Sequence, residues 1–287
     1  MGSEMCIRDR PNISSPELDA DLIIMFVLDL KKDELLTKDI SVPDALAIEV
    51  NAYLNRRLAG MPVQYIVGKT EFMSLDFIVN KNVLIPRQDT EILVETVIER
   101  YKNVSEQIRI LDIGSGSGCV GISMARYLPN SVVTELDISE EALKVAVLNA
   151  EKNLVTKQMN FVCRDIRDGI SDLEPKFDVI VSNPPYIKTD DLLELQQEVI
   201  EYEPVAALDG GDDGLDFYRI IIKKAVPKKG GMTAFEVGIG QAGDVADLMF
   251  KAGYRNIEII PDLGGIERVV LAVSYTHLRA HETSLHL

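Results

Sequence analysis

Histidine is missing from the body of this 287-residue chain: His277, His281 and His286 are the only three. Positions 1–276 therefore offer no imidazole for a Ser-His or Cys-His pair or for a metal cluster, which argues against triad hydrolysis. Cysteine is as sparse. Cys6, Cys119 and Cys163 are isolated and odd in number, a pattern that supports neither a disulfide framework nor a zinc site. Long apolar runs are lacking too. The strongest, Leu22-Ile23-Ile24-Met25-Phe26-Val27-Leu28, is far too short to span a bilayer and reads as a buried helix face. Met1 to Arg10 has no apolar stretch of the signal-peptide kind, so a cytoplasmic protein without a membrane partner is expected. Positive charge is short as well: 30 Lys and Arg against 46 Asp and Glu leave a net charge of −16. Such a chain is poorly suited to neutralising phosphates, so no direct nucleic-acid partner is expected. A basic protein surface suits it better.

What is present is the composition of a soluble globular protein, long enough for one large domain or two modest ones. From about Pro16 to Gly60 apolar residues recur at helical spacing: Leu18, Leu22, Met25 and Phe26, then Leu46, Val50, Tyr53, Leu54 and Leu58. Gly60, Pro62 and Gly68 break that pattern. Phe72 to Val79 and Val83 to Ile85 then read as two strands joined by a turn at Asn80-Lys81-Asn82. A helix capped by Asp89 or Thr90 runs to Tyr101. Strands follow at Ile108 to Asp112, Ser131 to Leu136, Asn160 to Cys163 and up to Ser182, with helices between most of them. Late strands are expected near Met232 to Val237, Asn256 to Ile260 and Arg268 to Val273. Alternation of this kind predicts an α/β fold with a mainly parallel sheet and helices on both faces. The expected boundaries are a helical domain over 11–68, a β-hairpin linker over 69–88 and the α/β domain over 89–273. Residues 1–10 and 274–287 resemble translated adapter sequence and are set aside as non-native or disordered ends.

Two motifs carry chemistry. The run Phe177 to Ser182 reads as a buried strand, and Asn183-Pro184-Pro185-Tyr186 follows it. An amide at the carboxyl end of a strand, locked by two prolines and followed by an aromatic ring, suits the holding of a flat, weakly nucleophilic NH2 group. Asn183 Oδ1 and the Pro184 carbonyl can accept its two N–H bonds, the prolines keep that backbone fixed, and Tyr186 can wall its plane. The second motif, Asp112-Ile113-Gly114-Ser115-Gly116-Ser117-Gly118, sits between a strand and a helix. Its glycines allow a sharp turn and close approach to a ligand, although a tight strand-to-helix connection would use them too. Asp137 ends the next strand, where a carboxylate can accept ribose hydroxyls or cap the following helix.

The glycine loop with Asp137 resembles the S-adenosylmethionine site of class I methyltransferases. The resemblance implies a Rossmann-like seven-stranded domain, with cofactor contacts at Gly114, Ser115, Gly116, Ser117, Gly118, Asp137 and Asn183. It also places Asp165 and Ile166, after the third strand, beside the adenine. In that superfamily an Asn-Pro-Pro-Tyr motif marks methylation of planar nitrogen, with Asn183, Pro184, Pro185 and Tyr186 in contact with the acceptor. Pro62 to Gly68, Glu71 to Leu75, Leu84 to Glu91 and Tyr202 to Leu208 are further similar to the HemK-type release factor glutamine methyltransferases. Two departures stand out: Gln88 replaces the family's usual proline, and Glu135 a small residue. The resemblance implies a monomeric enzyme that methylates the glutamine of the Gly-Gly-Gln loop of peptide chain release factors. Its helical domain would form one wall of the substrate groove. A glutamine methyltransferase of a large-subunit ribosomal protein, an adenine amino methyltransferase and a catalytically silent scaffold for release factors remain as alternatives.

Overall fold

A computed structural model describes residues 15–37, 42–173 and 176–274. The stretches set aside as added ends, except Ser274, lie outside the described residues together with Cys6 and all three histidines. The N-terminal part is helical: α1 (Pro16–Leu28), α2 (Lys32–Thr37), α3 (Asp44–Leu58) and α4 (Val63–Val67). Ala20, Ile23, Leu54, Val63, Ile66 and Val67 form its core. Only part of the apolar run in α1 is covered. Ile23 is fully buried while Phe26 remains 39% exposed, edge-on to Tyr53 at 5.7 Å. The small helical cluster packs against one side of α1 and leaves the other facing water.

The hairpin differs from the expected one. Its strands are β1 (Lys69–Phe72) and β2 (Leu75–Ile78), and the turn is Met73-Ser74, with φ of 51° and 57°. Two successive positive φ values belong to the tight hairpin turn whose twist matches the strands. The reason for folding there is side-chain parity. Phe72 and Phe77 are an odd number of residues apart, so a continuous strand would send one to each face. Folding at 73–74 turns both inward, where they meet edge-to-face at 6.1 Å in the main core. Asn80 to Asn82 instead makes a local side-chain turn, Asn82 N–H donating to Asn80 Oδ1 at 2.9 Å. The 83–85 stretch stays irregular, held by Tyr65 Oη donating to the Val83 carbonyl at 2.6 Å.

The remainder is a seven-stranded sheet. After α5 (Glu91–Tyr101) come β3 (Ile108–Ile113), α6 (Cys119–Tyr127), β4 (Ser131–Asp137), α7 (Glu140–Lys152), β5 (Met159–Cys163) and β6 (Val179–Ser182). Then follow α8 (Gln197–Tyr202), α9 (Asp216–Lys224), β7 (Met232–Glu236), α10 (Ala242–Lys251), β8 (Tyr254–Pro261) and β9 (Glu267–Ser274). The order is β5-β4-β3-β6-β7-β9-β8, parallel except for β9. Side chains alternate between two cores. Ile108, Ile110, Val179 and Val181 meet α5, α6 and the hairpin on one face; Leu111, Ile113 and Ile180 meet α9 and α10 on the other. The order of strand addition reverses beside β3: β4 and β5 lie to one side, β6 and β7 to the other. A crevice opens at such a switch point, outside the carboxyl ends of β3 and β6.

Candidate active site

Both motifs meet in that crevice. Ser182 Oγ donates to the Ile113 carbonyl at 2.7 Å, so the residue before Asn183 is bonded to the residue before Gly114. Gly114 and Gly116 hold φ of +72° and +54°, and a Cβ on either would meet no protein atom within 4 Å. Their open side is bare backbone that a ligand can approach closely. Gly118 is the left-handed residue that starts α6. Ser115 and Ser117 are buried, at 7% and 2% exposure, with the Ser115 backbone bonded to Leu136 and Gly118 and the Ser117 carbonyl to Asn149.

Asp137 accepts Gly116 N–H on Oδ2 and Ser139 N–H on Oδ1, both at 2.8 Å. A carboxylate can accept about four hydrogen bonds, so these two leave it capacity for a hydroxyl. Burial pushes its proton affinity up, and the backbone donors hold it back. Asp165 caps the turn 166–168 by accepting Arg167 N–H at 2.9 Å, which holds its carboxyl below the usual range. Ile166 is buried in the second core. The Asp137 carboxylate, with the open glycine backbone, fits a nucleoside.

On the far side of the crevice, Asn183 Nδ2 donates to Thr90 Oγ1 at 3.1 Å. Among the described residues neither Asn183 Oδ1 nor the Pro184 carbonyl accepts a hydrogen bond. The loop that carries them is braced from behind. Ile187 N–H donates to the Leu208 carbonyl at 3.0 Å, its own carbonyl accepts Gly210 N–H at 2.7 Å, and Gln241 Nε2 donates to the Tyr186 carbonyl at 2.9 Å. Gly210 is obligatory here, since a Cβ would lie 2.7 Å from Tyr186 Cα. Burial pushes the Tyr186 phenol up to about 12, so it stays a neutral aromatic wall. Beyond Tyr186, on the β7 side, an open cavity of about 800 Å3 is lined in part by Lys188, Arg219, Gly238, Gln241 and Arg268. The arrangement offers a crevice for a nucleoside beside the glycine loop and an open cavity beyond Tyr186.

Known proteins decide between the readings. A family model described as the PrmC N-terminal domain matches residues 8–68, and the methyltransferase small domain matches 87–212. The release factor glutamine methyltransferase of Clostridium acetobutylicum is 39% identical over 89% of this chain and 90% of its own length. That of Moorella thermoacetica is 41% identical over 91% and 92%. The chain belongs to the release factor glutamine methyltransferase family. A methyltransferase structure from Pyrococcus furiosus, 20% identical, covers 77% of this chain and all of its own at a TM-score of 0.51 and shares the fold.

For a methyltransferase of this family, several residues around the site carry no sequence signal of their own. Thr90 was expected as a helix cap. Its side chain makes no capping bond and reaches Asn183 across 93 positions of sequence, while Asp89 pairs with Arg268 at 2.8 Å and the helix starts through a 3-10 turn. Glu236, at the end of β7, is 3% exposed and reads in sequence as an ordinary strand end. Asn149 is hidden in the apolar face of α7, with no exposed surface. It accepts Ile78 N–H at 2.6 Å and donates to the Ile78 and Ser117 carbonyls at 3.0 and 2.9 Å, tying the hairpin to the glycine loop. A lone polar residue on the Leu143-Ala146-Ala150 stripe was the only hint of it. Cys119 and Cys163 are free thiols, and no metal-holding cluster is present among the described residues. Nor is any helix among them long and apolar enough to cross a membrane.

Proposed function

We propose that the chain methylates the side-chain amide nitrogen of the glutamine in the Gly-Gly-Gln loop of peptide chain release factors. The observation that carries this reading is the Asn183 amide. With its NH2 spent on Thr90, Oδ1 is left as an acceptor next to the Pro184 carbonyl. Two acceptors at a rigid Pro-Pro turn match the two N–H bonds of a primary amide. They also oppose the positive charge that develops on nitrogen as it gains a methyl group. The prolines fix φ, so little reorganisation is needed at the moment of transfer.

S-adenosylmethionine, when bound, supplies an electrophilic methyl group on a sulfonium. Gly114, Ser115, Gly116, Ser117 and Gly118 would hold it through backbone groups, Asp137 through its ribose hydroxyls, and Asp165 and Ile166 beside the adenine. Tyr186 walls the plane of the acceptor amide. No general base is required, because the methylated, cationic nitrogen is acidic enough to lose its proton to water.

The substrate enters from the side of the helical part, which forms one wall of the groove with the hairpin. Arg57 of α3 supports that wall by pairing with Glu198 at 2.9 Å, and Tyr202 Oη donates to the Ala59 carbonyl at 3.2 Å. The net charge of −16 favours a basic protein partner over nucleic acid. The test is incubation with labelled S-adenosylmethionine and three acceptors: a release factor, total large-subunit ribosomal proteins and duplex DNA. Label on the release factor supports the proposal. Label on ribosomal protein or DNA alone contradicts it.

A further inference from the structure

Asn183 donates to Thr90, so whatever seats Thr90 also orients the amide. The 3-10 turn 88–90 is a single short turn, and the Thr90 side chain makes no capping bond to α5. The turn is gripped from outside instead. Arg87, just before it, pairs with Glu203 beyond α8, a residue 5% exposed. Asp89, inside it, pairs through Oδ2 with Arg268 Nη2 at 2.8 Å. Arg268 belongs to β9 and is itself held. Its Nε donates to Asp262 Oδ2 at 3.1 Å, and Asp262 Oδ1 accepts the Gly264 and Ile266 N–H groups at 2.8 and 2.9 Å. That carboxylate is therefore fastened to the backbone of the β8–β9 turn. The Arg268 carbonyl accepts Val237 N–H at 2.9 Å, which ties the residue to the end of β7. With a carboxylate on each of two nitrogens of its rigid fork, the guanidinium has one orientation.

We propose that Arg268 is a positioning residue for methyl transfer: through Asp89 it seats the turn 88–90 so that the Thr90 hydroxyl meets the Asn183 amide. The inference rests on the assignment of Asn183 as the acceptor of the substrate N–H. Each link is a contact of ordinary length, from Asp262 to Arg268, from Arg268 to Asp89, and from Asn183 Nδ2 to Thr90 Oγ1 at 3.1 Å. Asp89 and Thr90 are adjacent, so a shift of the turn carries the Thr90 hydroxyl with it. Drawn back by about 1 Å, that hydroxyl leaves hydrogen-bond range of Nδ2. The Asn183 amide is then free to rotate and to point its NH2 at the substrate's own NH2.

The pair has a geometric use and little energetic one. The Asp89 side chain is 49% exposed, and an ion pair so open to water adds little to stability. Its removal should register in the chemistry and hardly at all in the melting temperature.

The experiment measures kcat, KM for a release factor, cofactor affinity by calorimetry and melting temperature for D89N, R268M, T90V, D89N/T90V and N183A in the full chain. A misplacement of about 1 Å costs up to about 100-fold, so D89N and R268M are expected to lose roughly 5- to 50-fold in kcat, with KM and cofactor affinity near wild type. The deciding comparison is D89N/T90V with T90V. If Asp89 acts through Thr90, the double variant is no slower than T90V; if the pair merely stabilises the region, the two losses multiply. If R268M fails to fold, the cycle of D89N with T90V decides. Wild-type kcat in D89N, losses that multiply, or a loss confined to KM overturns the proposal, while an inactive N183A leaves the parent reading intact. Near-normal N183A would overturn both.

Discussion

Asn183 Nδ2 and Thr90 Oγ1, 93 positions apart in sequence, meet at 3.1 Å and join the loop after β6 to the turn before α5. That bond orients the amide and links the cofactor-binding sheet to the segment that follows the hairpin. Its chemical consequence is tested by removing the side chain. Losing one preorganised group of this kind costs about 100- to 1,000-fold in kcat. Asn183→Ala is expected to show such a loss with cofactor affinity and melting temperature near wild type. Single-turnover transfer and calorimetry check it; near-normal turnover would remove Asn183 from the chemistry.

Asn149 is a structural counterpart. It serves the Ile78 N–H and two carbonyls at once, from a position with no exposure. Each buried backbone group left without a partner costs about 1–3 kcal/mol. Asn149→Leu, similar in volume, is expected to lower stability by about 2–4 kcal/mol and to weaken cofactor binding through the Ser117 end of the glycine loop. Denaturant unfolding with a titration of S-adenosylmethionine measures both.

Cross-strand partners Asp112 and Glu135 are both buried, and they predict an unusual pH dependence of stability. Burial pushes Asp112 up to about 7, with Glu135 and the Gly121 N–H holding it back, and burial together with the Asp112 charge holds Glu135 well above its ordinary value. The unfolded chain releases these protons near pH 4. The contribution is therefore complete below about pH 4 and lost as pH rises through 7, at up to about 1.4 kcal/mol per pH unit for each proton retained. Carboxyls held low, such as Asp213 at about 2, act below this window. Stability should fall between pH 5 and 7, and Glu135→Gln should flatten the slope, with Asp112, Asp137, Glu203 and Glu236 accounting for what remains. A slope unchanged in the variant would contradict the account in which buried Glu135 retains its proton.

Gln88 offers a gain of stability. It begins the 3-10 turn 88–90, and Arg87 before it is extended at φ −101° and ψ 146°, the conformation a following proline demands. The first helical position owes no backbone hydrogen bond. Gln88→Pro is expected to add about 0.4–1 kcal/mol by restricting the unfolded chain, read as a higher denaturation midpoint. A lower midpoint would show that this turn has a different backbone from the one described.

Much of this site was legible because its signals are local. Glycines after a strand, an acid ending the next strand, and Asn-Pro-Pro-Tyr after the fourth are each contained within a few residues, and the strand alternation fixed their common edge. What escaped is carried by contacts between distant segments. Thr90 has the sequence context of a helix cap, and nothing nearby tells that its hydroxyl is taken by Asn183. The hairpin was misplaced because Phe72 to Val79 is mostly apolar and carries no Gly, Pro or Asn to mark a turn; only the requirement that Phe72 and Phe77 share one core moves it to Met73-Ser74. Glu236 and Asn149 lie in runs that read as buried apolar elements, and their roles depend on which neighbours the fold supplies.

The central claim is most directly tested by the position of the transferred methyl group. After reaction of the full chain with a release factor and labelled S-adenosylmethionine, fragmentation mass spectrometry of the digested factor should place one methyl group on the side-chain nitrogen of the Gly-Gly-Gln glutamine, and none after reaction with the Asn183→Ala variant. Label on another residue, or on that glutamine with Asn183→Ala at the wild-type rate, would contradict the account.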